Sequence, residues 1–344
     1  MRKYLAFLTL ILGTASAAFS ARYVGEFLEI GAGARAVAMG GAYTAVADEP
    51  SAFYWNPCGL GYVEGLKFSG MYADLWGGLA SYSVAGLAAA VPGAVIGINW
   101  IRLSVENIPR YPDYDNRYLF PYGDTLQGIP FPYEDPREYI VALHGQPTGY
   151  FSDMESAIFL SFAKLNEFTL DLGWSYFTLP VQLPIGANLK IIQRSLENAS
   201  ATGIGADLGM QVRLRTQDLV GRSFPGWLSG GFNLQDMTRT QVNWGKGMRD
   251  AIPANFRMGA AYIADVAALR GHLTLSYDSE RRYERVHHYG LEYRYEKVLA
   301  VRGGLWGDEW TAGAGITFWR IGIDYAYRAR DLGTTHRVSL AVQL

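Results

Sequence analysis

The stretch "IGADLGMQVRL", Ile204 to Leu214, separates into two faces. Ile204, Ala206, Leu208, Met210, Val212 and Leu214 alternate with Gly205, Asp207, Gly209, Gln211 and Arg213. Successive side chains of a strand point to opposite sides, so this period of two predicts a strand with one apolar and one polar face. The pattern recurs outward from it. "IGIDYAYRA" sets Ile321, Ile323, Tyr325 and Tyr327 against Gly322, Asp324, Ala326 and Arg328. "YGLEYRY" sets Leu291, Tyr293 and Tyr295 against Glu292 and Arg294, and "HLTLSYDSE" sets Leu273, Leu275 and Tyr277 against Thr274, Ser276 and Asp278. Two all-β architectures produce such strands. A water-soluble sandwich turns the apolar face inward, and a membrane barrel turns it toward lipid.

Three features favour the barrel. The periodic runs are about ten residues long, which suits a tilted strand crossing a bilayer. Their polar faces mix small residues with both signs of charge, as a crowded lumen requires; Lys67, Asp207, Arg213, Asp278, Glu292, Arg294 and Asp324 are expected to point into it. Aromatic residues near strand ends (Trp100, Tyr262, Trp306, Trp319) read as an interfacial girdle. The nearly uncharged run Tyr82 to Ile101 is long enough for a membrane helix, but Pro92-Gly93 at its centre makes it a hairpin. The last strand, "THRVSLAVQL", alternates up to a large apolar final residue, Leu344.

Strands are expected over 66–75, 80–91, 94–105, 155–165, 185–197, 201–214, 227–236, 254–265, 270–280, 287–296, 298–306, 310–318, 320–330 and 335–344. That makes an antiparallel barrel of fourteen strands, an even number as usual for this class. Phe168 to Pro180 is assigned to an elaborated turn. With both barrel ends periplasmic, the longest connection, Glu106 to Met154, falls outside the cell. It carries Tyr111, Tyr114, Tyr118, Tyr122, Tyr133 and Tyr139 among many prolines. Tyrosine gives contact area at low entropic cost and proline limits the ordering penalty, so this loop is a candidate extracellular recognition surface.

Composition fits an exported envelope protein. The 344 residues are 18% charged with a net charge of −2, which excludes a basic nucleic-acid footprint. The chain opens "MRKYLAFLTLILGTASA", with a positive start, a short apolar run and a small-residue cleavage site, the form of a signal peptide over 1–17. The single cysteine, Cys58, excludes an intramolecular disulfide. The expected place is the bacterial outer membrane, with its lipid as the surrounding partner.

Residues 18–65 precede the first strand and contain "GARAVAMGGAYTAVADEPSAFYWNPCGL". A barrel of this size has a lumen wider than side chains alone can fill. Small residues allow short helical turns to pack closely, and Pro50 and Pro57 end them, so the segment is expected to be a hatch or plug. The run resembles the N-terminal signature of the PorV/PorQ family, related to the FadL and TodX transporters of hydrophobic compounds. Gly33, Arg35, Ala36, Met39, Gly40, Gly41, Ala42, Ala47, Asp48, Trp55, Asn56, Pro57, Gly59 and Leu60 match it, while Cys58 stands where alanine is usual. "GANLKII", "ADLGM" and "IDYAYRARDLGTTHRVSL" are also similar to the family.

The resemblance implies one of two roles. PorV-like members act in protein secretion or in attaching cargo proteins at the surface, and this is the reading preferred from the motifs. FadL-like members pass hydrophobic small molecules such as fatty acids or aromatic hydrocarbons. Either way the partners are cargo proteins or secretion components, or an apolar ligand. No catalytic motif, cofactor or metal site is expected. "GAGARAVAMGG" lacks the strand and βαβ unit of a dinucleotide loop, and His287-His288 reads as a solvated loop pair without ligand partners.

Overall fold

The computed structural model describes residues 25–110, 147–171, 173, 178–220, 225–245, 247–330 and 333–344. The expected signal peptide 1–17, residues 18–24, and the loop tyrosines Tyr111, Tyr114, Tyr118, Tyr122, Tyr133 and Tyr139 lie outside them.

The strands are β1 (Leu66–Leu75), β2 (Ala80–Val91), β3 (Ala94–Arg110), β4 (Gly149–Asp171), β5 (Thr178–Leu196), β6 (Ala199–Arg215), β7 (Gly226–Gln235), β8 (Gln241–Asn243), β9 (Arg249–Ala251), β10 (Asn255–Val266), β11 (Gly271–Arg281), β12 (Arg285–Tyr295), β13 (Leu299–Trp306), β14 (Glu309–Phe318), β15 (Ile321–Arg328) and β16 (Thr335–Gln343). Each long strand pairs antiparallel with its neighbour in sequence, β7 pairs with β10, and β1 closes on β16. The result is a closed barrel of fourteen strands. The short strands β8 and β9 form a hairpin that continues from the edge of β6. Leu66 and Leu344 mark one end of the barrel, here the turn end, where Pro92-Gly93 and Trp319-Arg320 lie. The strand ends Arg110 and Gly149, Gln235 and Asn255, and Arg328 and Thr335 mark the other, the loop end.

Alternation places the side chains as the sequence pattern demands. On β6, Ile204 is 66% and Leu208 41% exposed on the outer face, against 3% for Asp207 and 1% for Gln211 inside. Tyr82 to Ile101 forms a hairpin, with Val91 opposite Ala94 and Gly93 at φ 78 in the turn, where a left-handed backbone suits glycine.

Three expectations change. Strands β3 and β4 run past the bilayer-length window: pairing resumes at Ile108↔Phe151 after a bulge following Val105, where Asn107 takes φ 58. The connection is therefore shorter than Glu106 to Met154. Phe168 to Pro180 is not simply a turn, because Phe168↔Val181 and Asp171↔Thr178 carry the β4–β5 hairpin onward. Trp306 does not join an outer girdle. It shares a face with Arg302 and packs inside on Trp55, with ring centroids 5.6 Å apart.

Candidate functional site

Residues 25–63 fill the lumen. The segment starts at the loop end, where Gly25 meets Ile252 and Glu29 meets Arg282 (3.1 Å). It passes through short helical turns at Ala34–Ala38 and Ala52–Trp55 and a 3-10 turn at Pro57–Tyr62. At the turn end it enters β1. Helices this short leave most of their own carbonyls unpaired, and the wall supplies donors. Asn188, Gln235 and Asn233 donate to the successive carbonyls of Phe53, Tyr54 and Trp55, each at 2.7 Å. Gln211 donates to Thr44 O (2.9 Å) and Ser229 to Ala45 O (2.6 Å).

The "WNPCGL" turn lies against β5 and β6. Asn56 Nδ2 donates to Thr44 O (2.8 Å) and to Met210 O of the wall (3.1 Å). A Cβ on Gly186 would stand 2.5 Å from Cys58 N, and one on Gly209 would stand 2.0 Å from Asn56 Oδ1. These two wall positions have room for hydrogen only.

Arg35 is the electrostatic hub. Its Nε and Nη2 donate to the two carboxylate oxygens of Glu292, both at 2.9 Å, and its Nη1 donates to Asp48 (2.6 Å). Arg302 joins Glu292 (2.6 Å) to Asp324 (2.6 Å), and Arg294 reaches Glu292 at 3.1 Å. Burial works to raise the Asp48 carboxyl, but the Arg35 guanidinium, with Arg213 and Arg294 behind it, holds it below the usual carboxylate range. Nearer the loop end, Asp278 Oδ2 accepts from Tyr43 N (3.0 Å), Thr44 N (2.8 Å) and Thr44 Oγ1 (2.5 Å). Arg257 bridges Glu280 (2.7 Å) and Gly41 O (2.8 Å). Lys190 lies 2.7 Å from both Asp207 and Asp236.

The lumen has two unlike flanks in its loop-end half. Along β1–β5 the inward face carries an apolar patch, Met71, Leu75, Tyr82, Val84, Ile101, Phe159 and Ile192, packed on Phe27, Leu28, Ile30 and Phe53 of the lumen segment and bordered by Asn99, Glu155, Asn188 and Lys190. Phe53 meets Phe159 edge-on at 5.0 Å. Along β10–β16 the inward residues include Arg257, Asp278, Glu280, His288, Arg328 and Arg337. Cavities flank the segment at both ends. One at the loop end, about 240 Å³, is lined by Glu29, Tyr54, Arg282 and Arg328 among others. One at the turn end, about 290 Å³, is lined by Arg35, Asp48, Lys67, Arg294 and Asp324 among others.

The structure thus gathers the quoted motif residues (Gly33, Arg35, Met39, Gly40, Gly41, Asp48, Trp55, Asn56, Pro57, Gly59 and Leu60) in the lumen. Asp48 is partly open to the turn-end cavity; the others are buried. Asp207, Arg213, Asp278, Glu292, Arg294, Asp324 and Lys67 stand on the inner wall around them. Asp48 finds its ion partner within the segment, Arg35. The lumen residues expected from the sequence did not include Lys190, Asp236, Arg257, Glu280 or Arg302; of these Glu280 shares strand parity with Asp278, which was placed, and the others lie on elements where no inward charge was assigned. His287 and His288 are not a solvated loop pair but neighbours on β12 facing opposite ways. His287 meets Tyr277 OH outside (2.8 Å), and His288 sits inside, its Nδ1 2.8 Å from Gly40 O and its Nε2 3.1 Å from Glu280. Among the described residues no group of three or more His, Cys, Asp or Glu is placed to hold a metal ion.

Fold and lumen together define a β-barrel of the outer-membrane type, filled along its axis by its own N-terminal segment. No protein-family model matches the chain, and no curated protein sequence does. Among solved structures it is similar to a deletion mutant of the TodX monoaromatic hydrocarbon channel, at 12% identity over 91% of this chain and 99% of that one, TM-score 0.48. It is similar to the toluene transporter TbuX of Ralstonia pickettii, at 14% identity over 91% and 97%, TM-score 0.46. The CymD monoaromatic hydrocarbon channel gives 11%, 91%, 96% and 0.45. The likeness is one of fold and extends no further.

Proposed function

We propose that residues 25–63 act as a hatch in an outer-membrane barrel, and that the barrel passes small apolar molecules between the hatch and the β1–β5 flank. The two-sided lumen carries this reading. A plug held only for closure needs a satisfied polar wall, whereas here an apolar patch of Val84, Ile101, Phe159 and Ile192 faces it on one side, between polar residues such as Asn188 and Lys190. Apolar surface facing a lumen is a binding surface for apolar cargo once the side chains now covering it, such as Phe27 and Phe53, move aside. The tyrosine-bearing connection between β3 and β4 would then collect cargo at the outer surface.

Uptake of radiolabelled toluene and of decanoate by cells carrying the protein, against cells carrying Phe159→Glu, tests it. Uptake of either compound that falls to background in the variant supports the reading. Equal uptake with and without the protein removes it. One observation favours a second reading, the PorV/PorQ-like role in secretion or surface attachment of cargo proteins. The hatch is bound bidentately through Arg35 to Glu292 and through three bonds to Asp278, as a permanent plug would be. A surface protein that copurifies with the barrel, together with absent uptake, favours that role.

A further inference from the structure

A row of inward positions crosses four strands near the loop end: Tyr82 on β2, Ala73 on β1, Arg337 on β16 and Ala326 on β15 lie side by side in register. The two alanines are too short to meet the larger side chains beside them. Arg337 is 1% exposed, and its Nε, Nη1 and Nη2 all lack a hydrogen-bond partner. Tyr82, opposite it across Ala73, is fully buried with its hydroxyl unpartnered. Arg328, on the same inner face, leaves Nη1 unpartnered, and Thr335, its register partner, leaves Oγ1 unpartnered. Trp76, in the turn leaving β1 and beside Gly333, leaves Nε1 unpartnered.

Every group in this set can donate a hydrogen bond, and three of the unpartnered nitrogens belong to one guanidinium. Guanidinium and indole groups cannot accept, and arginine does not shed its charge in a protein. A buried cation without a partner is among the costliest arrangements a fold can hold. The nearby charges deepen the imbalance: Arg328 and Arg330 share the carboxylate of Glu309, at 2.5 and 3.3 Å, and nothing among the described residues answers Arg337. Of the four carboxylates that line the loop-end cavity, Glu280 is engaged by Arg257 and Glu29 by Arg282, and neither Glu26 nor Glu284 bonds Arg337.

We propose that Arg337, Arg328, Tyr82, Thr335 and Trp76 form a binding site for a small acceptor-only anion, a halide or a compact oxyanion, reached from the loop-end cavity that Arg328 lines. The occupant is compact because Tyr54 of the hatch is buried in the same cluster as Tyr82, Ala73 and Ala326. The site stands whether or not the hatch moves, so it does not rest on the transport reading.

The test uses the full chain in detergent at matched ionic strength. Thermal unfolding is followed in sodium chloride, in sodium sulfate, and in the sodium salt of a bulky sulfonate buffer too large to enter. A midpoint that rises by several degrees and saturates with chloride or sulfate supports the site, and whichever anion acts at the lower concentration shows whether a halide or an oxyanion is preferred. In Arg337→Met the midpoint in the bulky salt should equal or exceed that of the wild type, and the anion response should vanish. A flat response in the wild type, or the same response in the variant, overturns the proposal. Crystals of the unaltered chain grown in bromide or selenate give an independent readout. Anomalous density among Arg337, Arg328 and Tyr82 supports the site, and no peak with either anion overturns it.

Discussion

Replacing Asp278 with alanine removes one wall carboxylate and three hydrogen bonds to the hatch, from Tyr43 N, Thr44 N and Thr44 Oγ1. Arg257 keeps Glu280, Gly41 O and the Trp55 ring, so the change leaves no orphaned cation. Hydrogen bonds to a charged acceptor are worth about 1.5–3 kcal/mol each. Removing the carboxylate also relieves its desolvation, so the low end applies, about 4 kcal/mol in all. That shifts the balance between docked and undocked hatch by roughly a thousandfold. Cys58 reports it directly: it is the only cysteine, fully buried under the β5 wall, and burial pushes its thiol up, so modification reads exposure. The rate of maleimide labelling in folded, detergent-held protein should rise by two to three orders of magnitude in Asp278→Ala, on the same estimate. Asp278→Asn, which keeps an acceptor in place, should rise far less. A rate within threefold of wild type in Asp278→Ala would refute the claim that this carboxylate holds the hatch.

Gly186→Val should also release Cys58, since the new Cβ would lie 2.5 Å from its backbone nitrogen; a cost of about 1–3 kcal/mol predicts labelling at least tenfold faster, and unchanged labelling would show that the turn is not seated there. Leu208→Arg places a cation on the lipid-facing surface and should destabilise the barrel by about 2–4 kcal/mol in urea titrations from vesicles, whereas equal stability would mean that Leu208 does not face lipid. The depressed Asp48 carboxyl gives a pH dependence with a definite sign. Its contribution is complete above the ordinary aspartate pKa of about 3.9 and is lost only as pH falls through the lower folded value, so single-channel conductance should stay constant from neutral pH down to that range and open below it; opening at pH 5–6 would contradict the assignment.

Much of the fold was legible because lipid and lumen impose opposite demands on adjacent residues. Asp207 beside Leu208, and Glu292 beside Leu291, leave one register that puts charge inside. Strand ends were less legible, because β3 and β4 continue pairing beyond the bilayer, where neither face has to be apolar. Trp306 was misplaced through its aromatic character, although Arg302 four residues earlier carried the parity that puts it inside. The lumen contents were legible in kind, through the small residues and prolines ahead of β1, but not in their partners. Arg35 meets Glu292 across 257 positions, and the Tyr82–Ala73–Arg337 row joins strands from opposite ends of the chain. No local pattern encodes such a meeting, because it follows from ring closure.

The apolar patch on β1–β5 and the charge-rich wall of β10–β16 also order assembly. The apolar flank belongs to strands that follow the hatch closely in the chain, so Phe53 can find Phe159, and the hatch can collapse against β1–β5, before the later strands have joined the sheet. The charged flank belongs to the last strands. The bonds from Arg35 to Glu292 and from Ala34 N to Ser339 Oγ span 257 and 305 positions, so they cannot exist until the wall has come nearly full circle. Contacts of such separation are slow to form and bind only when made together. Their formation and the closing of β1 on β16 thus become one event, in which the hatch acts as the form around which the wall is wrapped.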